Sequence, residues 1–333
     1  MHLTNSEHIR TPSVDIVIPA LNEEATIAAT IEGLADQVPG ARFIIADNGS
    51  TDATRERTLR VVRARGLDFV LLSVPTRGKG NAIREAFRIA DADVVIMVDG
   101  DDTYPAECVH ALIGPVVAGY ADMVVGDRLS SGAYGNQNSR RFHEAGNQMV
   151  LSTINRLYRG SLRDILSGYR AFSKRFVRTY PVMVSGFELE TDLSIHALDK
   201  RLRVVEVPID YRERPPGSES KLNTFRDGAR VVLTLFNLFR RFRPLAFFVT
   251  VSVILAVLAL AAGGLPIADW IQSRYVAHVP LAILASALVL ASLIFFAVAL
   301  VLDALADRAR RDYELRILEF EDRPKHEHGE RHG

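Results

Sequence analysis

The sequence contains a single cysteine, Cys108, and a single tryptophan, Trp270. One thiol excludes an intrachain disulfide and a zinc site built only from cysteine. No Cys–His pattern surrounds Cys108, so it reads as a small packing residue rather than a nucleophile. A surplus of charge is also missing, because 40 Lys and Arg face 40 Asp and Glu. A chain made mainly to hold nucleic acid needs a basic excess, so nucleic acid is not an expected partner. The opening residues, Met1 to Ser6, lack an apolar signal core, which leaves the leading domain expected in the cytoplasm.

What is present is distributed unevenly. The 333 residues suffice for a sizeable core and an appendage. Two apolar runs, Leu245 to Leu265 and Val279 to Leu302, each reach the ~20 residues that cross ~30 Å of hydrocarbon as a helix. The connector between them holds Asp269, Trp270, Arg274 and Tyr275, and Trp and Tyr favour the membrane interface. Arg240, Arg241 and Arg243 precede the first run, and Arg308, Arg310 and Arg311 follow the second. Basic residues at both outer ends place both termini in the cytoplasm, giving a multi-pass protein of the cell membrane. From Phe225 to Phe242, Val231, Val232, Leu235, Phe236, Leu238 and Phe239 alternate with Arg226, Arg230, Arg240 and Arg241, as in an amphipathic helix on a membrane surface. Residues 224–243 are assigned to that helix and 244–303 to a transmembrane hairpin. Residues 304–333 form a charged tail, His-rich from Arg323 on and expected to be disordered there.

Residues 14 to about 127 alternate strand and helix signals. Apolar runs at Val14 to Pro19, Phe43 to Ala46, Asp68 to Leu72 and Val94 to Val98 read as strands, with helical spacing at Glu23 to Leu34, after Asp52, and at Gly80 to Ala90. This alternation predicts an α/β domain, residues 1–223, with a mainly parallel sheet covered by helices on both faces. Ligands of such sheets bind at the carboxyl ends of the strands. The polar clusters fall there: Asn22 and Glu23, Asp47, Arg77-Gly78-Lys79, and Asp99 with Asp101. The stretch from Ser130 to Arg141 reads as a loop.

Asp99-Gly100-Asp101-Asp102 crowds three carboxylates at the end of an apolar strand. Clustered carboxylates repel, and Mg²⁺ or Mn²⁺ bridging them to a phosphate is the usual remedy. A diphosphate leaving group needs that neutralisation as its bond to the sugar breaks. A solvated acidic turn is the plainer alternative. Asp47 to Asp52 can hydrogen-bond a base or ribose, although Ser50, Thr51 and Asp52 are equally good helix caps. Lys79, between Gly78 and Gly80, either reaches a phosphate or is an exposed loop lysine.

Pro19-Ala20-Leu21-Asn22-Glu23-Glu24, Asp47-Asn48-Gly49-Ser50-Thr51-Asp52, Gly78-Lys79-Gly80-Asn81-Ala82 and Asp99-Gly100-Asp101 resemble, in that order, the motifs of family 2 glycosyltransferases. Gly126-Asp127-Arg128, Ser167-Gly168-Tyr169-Arg170, Gly186-Phe187-Glu188-Leu189-Glu190, Val207-Pro208-Ile209 and the segment Arg214 to Leu222 resemble its polyprenyl-phosphate branch, which includes dolichol-phosphate mannose synthases. The resemblance covers roughly residues 12 to 245. It implies the GT-A fold, Rossmann-like and mainly parallel, and an inverting reaction. It implies that Pro19, Leu21, Glu23, Asp47, Asn48, Lys79, Asp99, Gly100 and Asp101 bind the nucleotide sugar, a UDP- or GDP-sugar. Asp99 and Asp101 would bind the metal, with Asp102 or Thr103 as a further ligand; many relatives carry Gln where this chain has Thr103. Arg128, Arg140, Arg141, Arg214, Ser220 and Lys221 would hold the acceptor phosphate. Asp101, Arg128 and Glu190 would carry catalysis.

The resemblance also implies a polyprenyl phosphate acceptor at the lipid membrane, with homo-oligomerisation left open. A phosphate whose second pKa is ~6 is largely ionised at neutral pH and needs no strong base. Glu190 would then orient or desolvate the acceptor. A sugar or lipid hydroxyl acceptor would instead need a carboxylate base, with Glu188, Glu190 or Asp192 as candidates. A non-catalytic membrane scaffold of the same fold is the rival from another class.

Overall fold

The computed structural model describes residues 11–130, residues 151–212 other than 157, 159 and 187, and residues 244–321. The chain divides into two compact units, Met1–Leu222 and Asn223–Gly333.

The first unit is built on β1 (Val14–Ala20), β2 (Arg42–Asp47), β3 (Phe69–Ser73), β4 (Val94–Met97), β5 (Met123–Asp127), β6 (Arg170–Ser173) and β7 (Val204–Pro208). Its helices are α1 (Ile27–Gln37), α2 (Thr54–Ala64), α3 (Lys79–Ile89), α4 (Val109–Val117), α5 (Lys174–Thr179) and α6 (Leu189–Asp199). The seven strands form one sheet in the order β3-β2-β1-β4-β6-β5-β7. β1 to β4 are mutually parallel, and β6 alone runs antiparallel, between β4 and β5. The sheet is therefore mainly parallel, with the single reversed strand arriving from residue 170 onward.

Both faces are buried, as continuous apolar strands require. On β1, Ile16 and Ile18 join Ile31, Leu34 and Leu112 on one face, while Val17 joins Ile83, Phe87 and Phe176 on the other. β2 repeats the alternation, with Phe43 and Ile45 against Ile44 and Ala46. Helices α1, α2 and α4 cover the first face, and α3, α5 and α6 the second. The chain leaves β1 toward β2 on one side and reaches β4 on the other, so the crevice at the carboxyl ends lies beside β1 and β4. This is the GT-A arrangement.

The second unit is a helical hairpin, α7 (Pro244–Ser273) and α8 (Val279–Glu321). Both helices are long and apolar enough to be candidate membrane spans. They pair antiparallel, because Ser252 meets Ser292 and Phe248 meets Phe295. Each serine hydroxyl donates 2.9 Å to the other's backbone carbonyl, and the two oxygens lie 3.1 Å apart. Small and hydroxylated residues let helices approach closely where no water competes. At the connector, Asp269 Oδ2 accepts the backbone N–H groups of Ala277 and His278. α8 continues past Leu302 to Glu321, so the charged segment begins as helix. The segment Phe225 to Phe242 and residues 322–333 lie outside the described residues.

Candidate active site

The loops behind β1 and β2 are laced together. Asn22 adopts φ +53°, a left-handed conformation that asparagine tolerates. Its Oδ1 accepts the Thr51 N–H at 2.8 Å, and its own N–H donates to Ser50 Oγ at 3.0 Å. Glu23 N–H donates to Thr54 Oγ1 at 2.8 Å. The first amides of α2 go to Glu24 Oε2 and Asp52 Oδ1, from Ala53 and Thr54. Of the three cap residues expected from sequence, Asp52 serves α2, whereas Ser50 and Thr51 are used in the lacing. Pro19 is buried in β1, and Leu21 and Glu23 are half-buried just beyond it.

Asp47 and Asn48 close β2, and both are buried. Asp47 Oδ1 accepts the Ser50 N–H at 3.0 Å, with Arg55 3.7 Å from its other oxygen. The Asn48 amide faces the protein: Nδ2 donates to Val74 O and Thr76 O, and Oδ1 accepts the Gly78 N–H at 2.6 Å. Asn48 thus shapes the pocket by fixing the loop that carries Lys79. That loop is also fixed from the other side. A Cβ at Gly78, where φ is +128°, would overlap Ser185 O, and one at Gly80 would overlap Val184 O. Only glycine permits this approach. The segment 182–186, just ahead of α6, is thereby locked to the start of α3.

Lys79 is not an exposed loop lysine. Its side chain is 12% exposed, and Nζ contacts Asp99 Oδ1 and lies 2.5 Å from Glu190 Oε1. Burial alone would lower its pKa, but Asp99 and Glu190 hold the ammonium well above the ordinary lysine range. One cation therefore joins the end of β4 to the first turn of α6. Of the three carboxylates proposed as a base, Glu190 is the one brought to the strand ends. Glu188 is exposed, and Asp192 accepts the Tyr180 hydroxyl at 2.8 Å.

Asp99, Gly100 and Asp101 follow β4. Gly100 O accepts the Thr26 hydroxyl at 2.7 Å, tying this turn to the head of α1. Thr103 Oγ1 donates to Asp101 Oδ1 at 2.7 Å, so it orients that carboxylate. Asp102 turns at φ +55°. Burial pushes its carboxyl pKa up, Arg212 opposes this, and Asp101 and Glu107 add to the rise. The donor set fits a divalent cation. Asp99 and Asp101 offer hard oxygens, and no group of three or more His, Cys, Asp or Glu forms among the described residues. Mg²⁺ and Mn²⁺ are commonly held by one or two carboxylates with phosphate and water completing the shell. The Lys79 ammonium contacts Asp99, so a metal there would share that carboxylate with it.

Arg128 follows β5 and is buried. Its Nε and Nη2 donate to the two oxygens of Asp164 at 2.7 and 2.9 Å, a bidentate pair. The guanidinium also lies 5.5 Å from the centre of the Tyr211 ring. Burial works to raise the Asp164 carboxyl, but the Arg128 bonds outweigh it and hold the pKa low. Tyr104 lies close by: its hydroxyl oxygen accepts the Gly168 N–H at 2.8 Å, and burial pushes its pKa up, so it stays neutral. A Cβ at Gly168 would overlap Asp99 Oδ2. Sequence reasoning missed Tyr104 and Asp164. Tyr104 stands three residues after Asp101, and Asp164 shares a short segment with Ser167-Gly168, so proximity to the motifs was the available signal. Arg140, Arg141, Arg214, Ser220 and Lys221 lie outside the described residues.

Comparison with known proteins gives a consistent family. The pattern described as glycosyl transferase family 2 matches residues 15–180. The chain is 33% identical over 265 residues to Glycosyltransferase AglJ of Haloferax volcanii, covering 79% of this chain and 82% of that one. It is 29% identical over 216 residues to a dolichyl-phosphate hexose transferase of the same organism, covering 65% of this chain and 89% of the relative. A crystal structure of Mycobacterium tuberculosis glucosyl-3-phosphoglycerate synthase, in complex with Mn²⁺, UDP-glucose and glycerol 3-phosphate, is 26% identical. It superposes with a TM-score of 0.55 over 69% of this chain and 80% of that one.

Proposed function

This chain belongs to glycosyl transferase family 2, and from that premise we propose that it transfers a sugar from a UDP- or GDP-sugar to a polyprenyl phosphate, with inversion. The acceptor phosphate oxygen attacks the anomeric carbon. A new C1–O bond forms as the bond to the diphosphate breaks, and the nucleoside diphosphate leaves with the bonding electrons. Asp47 and the laced loops flank the base and ribose. Asp99 and Asp101 would hold Mg²⁺ or Mn²⁺, which would supply neutralisation of the charge developing on the diphosphate. Arg128, fixed by Asp164, with Arg140, Arg141, Arg214, Ser220 and Lys221, supplies donors for the acceptor phosphate.

The observation that carries this reading is the Lys79–Glu190 pair. The Glu190 carboxylate is engaged by the Lys79 ammonium at 2.5 Å, so it is held in an ion pair rather than turned toward an acceptor hydroxyl. A hydroxyl acceptor needs a general base, whereas a phosphate arrives already ionised. The hairpin supports a lipid-borne acceptor, as does the likeness to a dolichyl-phosphate hexose transferase. The Mn²⁺ and UDP-glucose in the related crystal structure support a metal-assisted nucleotide-sugar donor. The basic residues outside both apolar runs support cytoplasmic termini and a cytoplasmic catalytic unit. The test is to incubate the purified full chain with Mn²⁺ and a panel of UDP- and GDP-sugars, offering polyprenyl phosphate or the matching free polyprenol. A lipid product heavier by one glycosyl unit, formed from the phosphate alone, is expected. Transfer only to hydroxyl acceptors would overturn the reading.

A further inference from the structure

Arg170, at the start of β6, is the largest wholly buried side chain among the described residues of the first unit. Its guanidinium is satisfied by uncharged groups. Nε donates to Ser167 O at 2.9 Å, Nη2 to Ile165 O at 2.8 Å and Nη1 to Ser194 Oγ at 3.0 Å, with Met123 S 3.4 Å away. Burying a charge without a carboxylate in contact is costly, and an apolar side chain of similar volume often packs at least as well. Packing alone therefore does not account for an arginine here.

Its three acceptors explain the choice. Ile165 and Ser167 lie in the turn 164–168. One end of that turn carries Asp164, which grips Arg128 in a bidentate pair. The other end carries Gly168, pressed so close to Asp99 that a methyl group would overlap its carboxylate. The third acceptor, Ser194, donates its own hydroxyl at 2.9 Å to the backbone carbonyl of Glu190. The planar fork thus fixes, from behind, the segments that position Asp99, Arg128 and Glu190. A lysine ammonium lacks that planar, pre-organised fork.

We propose that Arg170 is a positioning residue for glycosyl transfer, setting through the 164–168 turn and Ser194 the mutual placement of Asp99, Arg128 and Glu190 without touching either substrate. This rests on reading those three residues as the transfer site. The test uses the full chain in lipid nanodiscs, with Arg170→Lys, which keeps the charge, and Ser194→Ala, which removes the bridge from Arg170 Nη1 to the Glu190 carbonyl and leaves the bonds to the 164–168 turn. Thermal midpoint, kcat, and KM for donor and acceptor are measured for each. A misplacement near 1 Å is worth about 100-fold in rate. Arg170→Lys is expected to lose about that much kcat with the donor KM changed less than about threefold, and Ser194→Ala to lose about tenfold with its thermal midpoint nearly unchanged. Wild-type kcat per folded molecule in Ser194→Ala, together with either wild-type kcat or failure to fold in Arg170→Lys, would mean that Arg170 only stabilises the fold. If the wild-type chain leaves polyprenyl phosphate untouched, the acceptor reading fails separately. Arg170 is then judged by the same comparison on hydrolysis of whichever sugar nucleotide the wild-type chain consumes.

Discussion

The ammonium of Lys79 lies 2.5 Å from the carboxylate of Glu190 while also contacting Asp99, so one buried cation serves two acidic groups from distant parts of the chain. Lys79→Met leaves both carboxylates facing each other without it. Breaking one side of a buried pair costs on the order of 3 kcal/mol. A lower thermal midpoint and at least a ~100-fold loss of transfer are expected, because Asp99 and Glu190 lose the cation that fixes their positions. Glu190→Gln keeps the shape and a hydrogen bond to Lys79. Its turnover on polyprenyl phosphate should fall less than about tenfold, the size of effect expected when no proton is taken. Parallel assays of the two variants with a radiolabelled donor check both outcomes.

Two glycines are predicted to fail differently. At Gly168 the added methyl meets the Asp99 side chain, which can rotate away. Gly168→Ala should fold but bind donor with Mn²⁺ at least about tenfold more weakly, because Asp99 must leave its place. At Gly78 the methyl meets the Ser185 backbone carbonyl, and φ is already +128°. Gly78→Ala should lower stability by several degrees of thermal midpoint or prevent folding. Calorimetric donor titration and thermal melting separate the two cases.

Asp164→Asn tests whether Arg128 needs its anchor. The amide keeps one acceptor but loses the charge, leaving the Arg128 guanidinium buried without its bidentate partner. A stability loss of about 3 kcal/mol is expected from the broken pair. Acceptor KM should rise more than donor KM, which steady-state kinetics with each substrate varied in turn will show.

Acid sensitivity is expected from His196, which is half-buried against the rings of Phe176 and Tyr180. Burial, helped by Lys200 and opposed by Asp199, pushes its pKa down to about 4 from an ordinary value of 6.5. The unfolded chain therefore binds this proton more readily than the folded one. Its contribution is fully present above about pH 6.5 and is lost as pH falls toward 4, by up to about 3 kcal/mol. His196→Phe should flatten the thermal midpoint between pH 6.5 and 4 relative to the wild type.

In the hairpin, Ser252→Ala and Ser292→Ala should each cost about 1 kcal/mol, the typical worth of a hydrogen bond between helices in lipid. The double variant should depart from the sum, because the two hydroxyl oxygens lie 3.1 Å apart and so are coupled. Detergent-titrated unfolding of the full chain measures this.

How much was legible beforehand depended on the kind of signal. β1 to β4 and the helices between them announced themselves, because strands buried on both faces are continuous apolar runs closed by Pro19, Asp47 and Asp99. The two long helices were legible for a similar reason, although the extension of α8 to Glu321 was not, since charged residues hide a helix that packing does not reveal. β6 is four residues long and sits inside a motif, so its reversed direction had no sequence signal. The strand ends marked Lys79 and Asp99, which the structure brings into contact. Two buried partners did not show: Asp164 reaches Arg128 and Tyr104 reaches Gly168 across gaps of 36 and 64 residues. No local pattern encodes such contacts.

The place of β6 has a consequence for biosynthesis. β5 pairs only with β6 and β7, and the far edge of β4 also waits for β6. Between Asp127 and Arg170 the ribosome must add 42 further residues. At ~5–20 residues per second that takes ~2–8 s, during which a newly made strand and an open sheet edge have no partner. Translation through this interval is when the nascent chain is most exposed to pairing with a neighbour, and a pause there would lengthen that exposure directly.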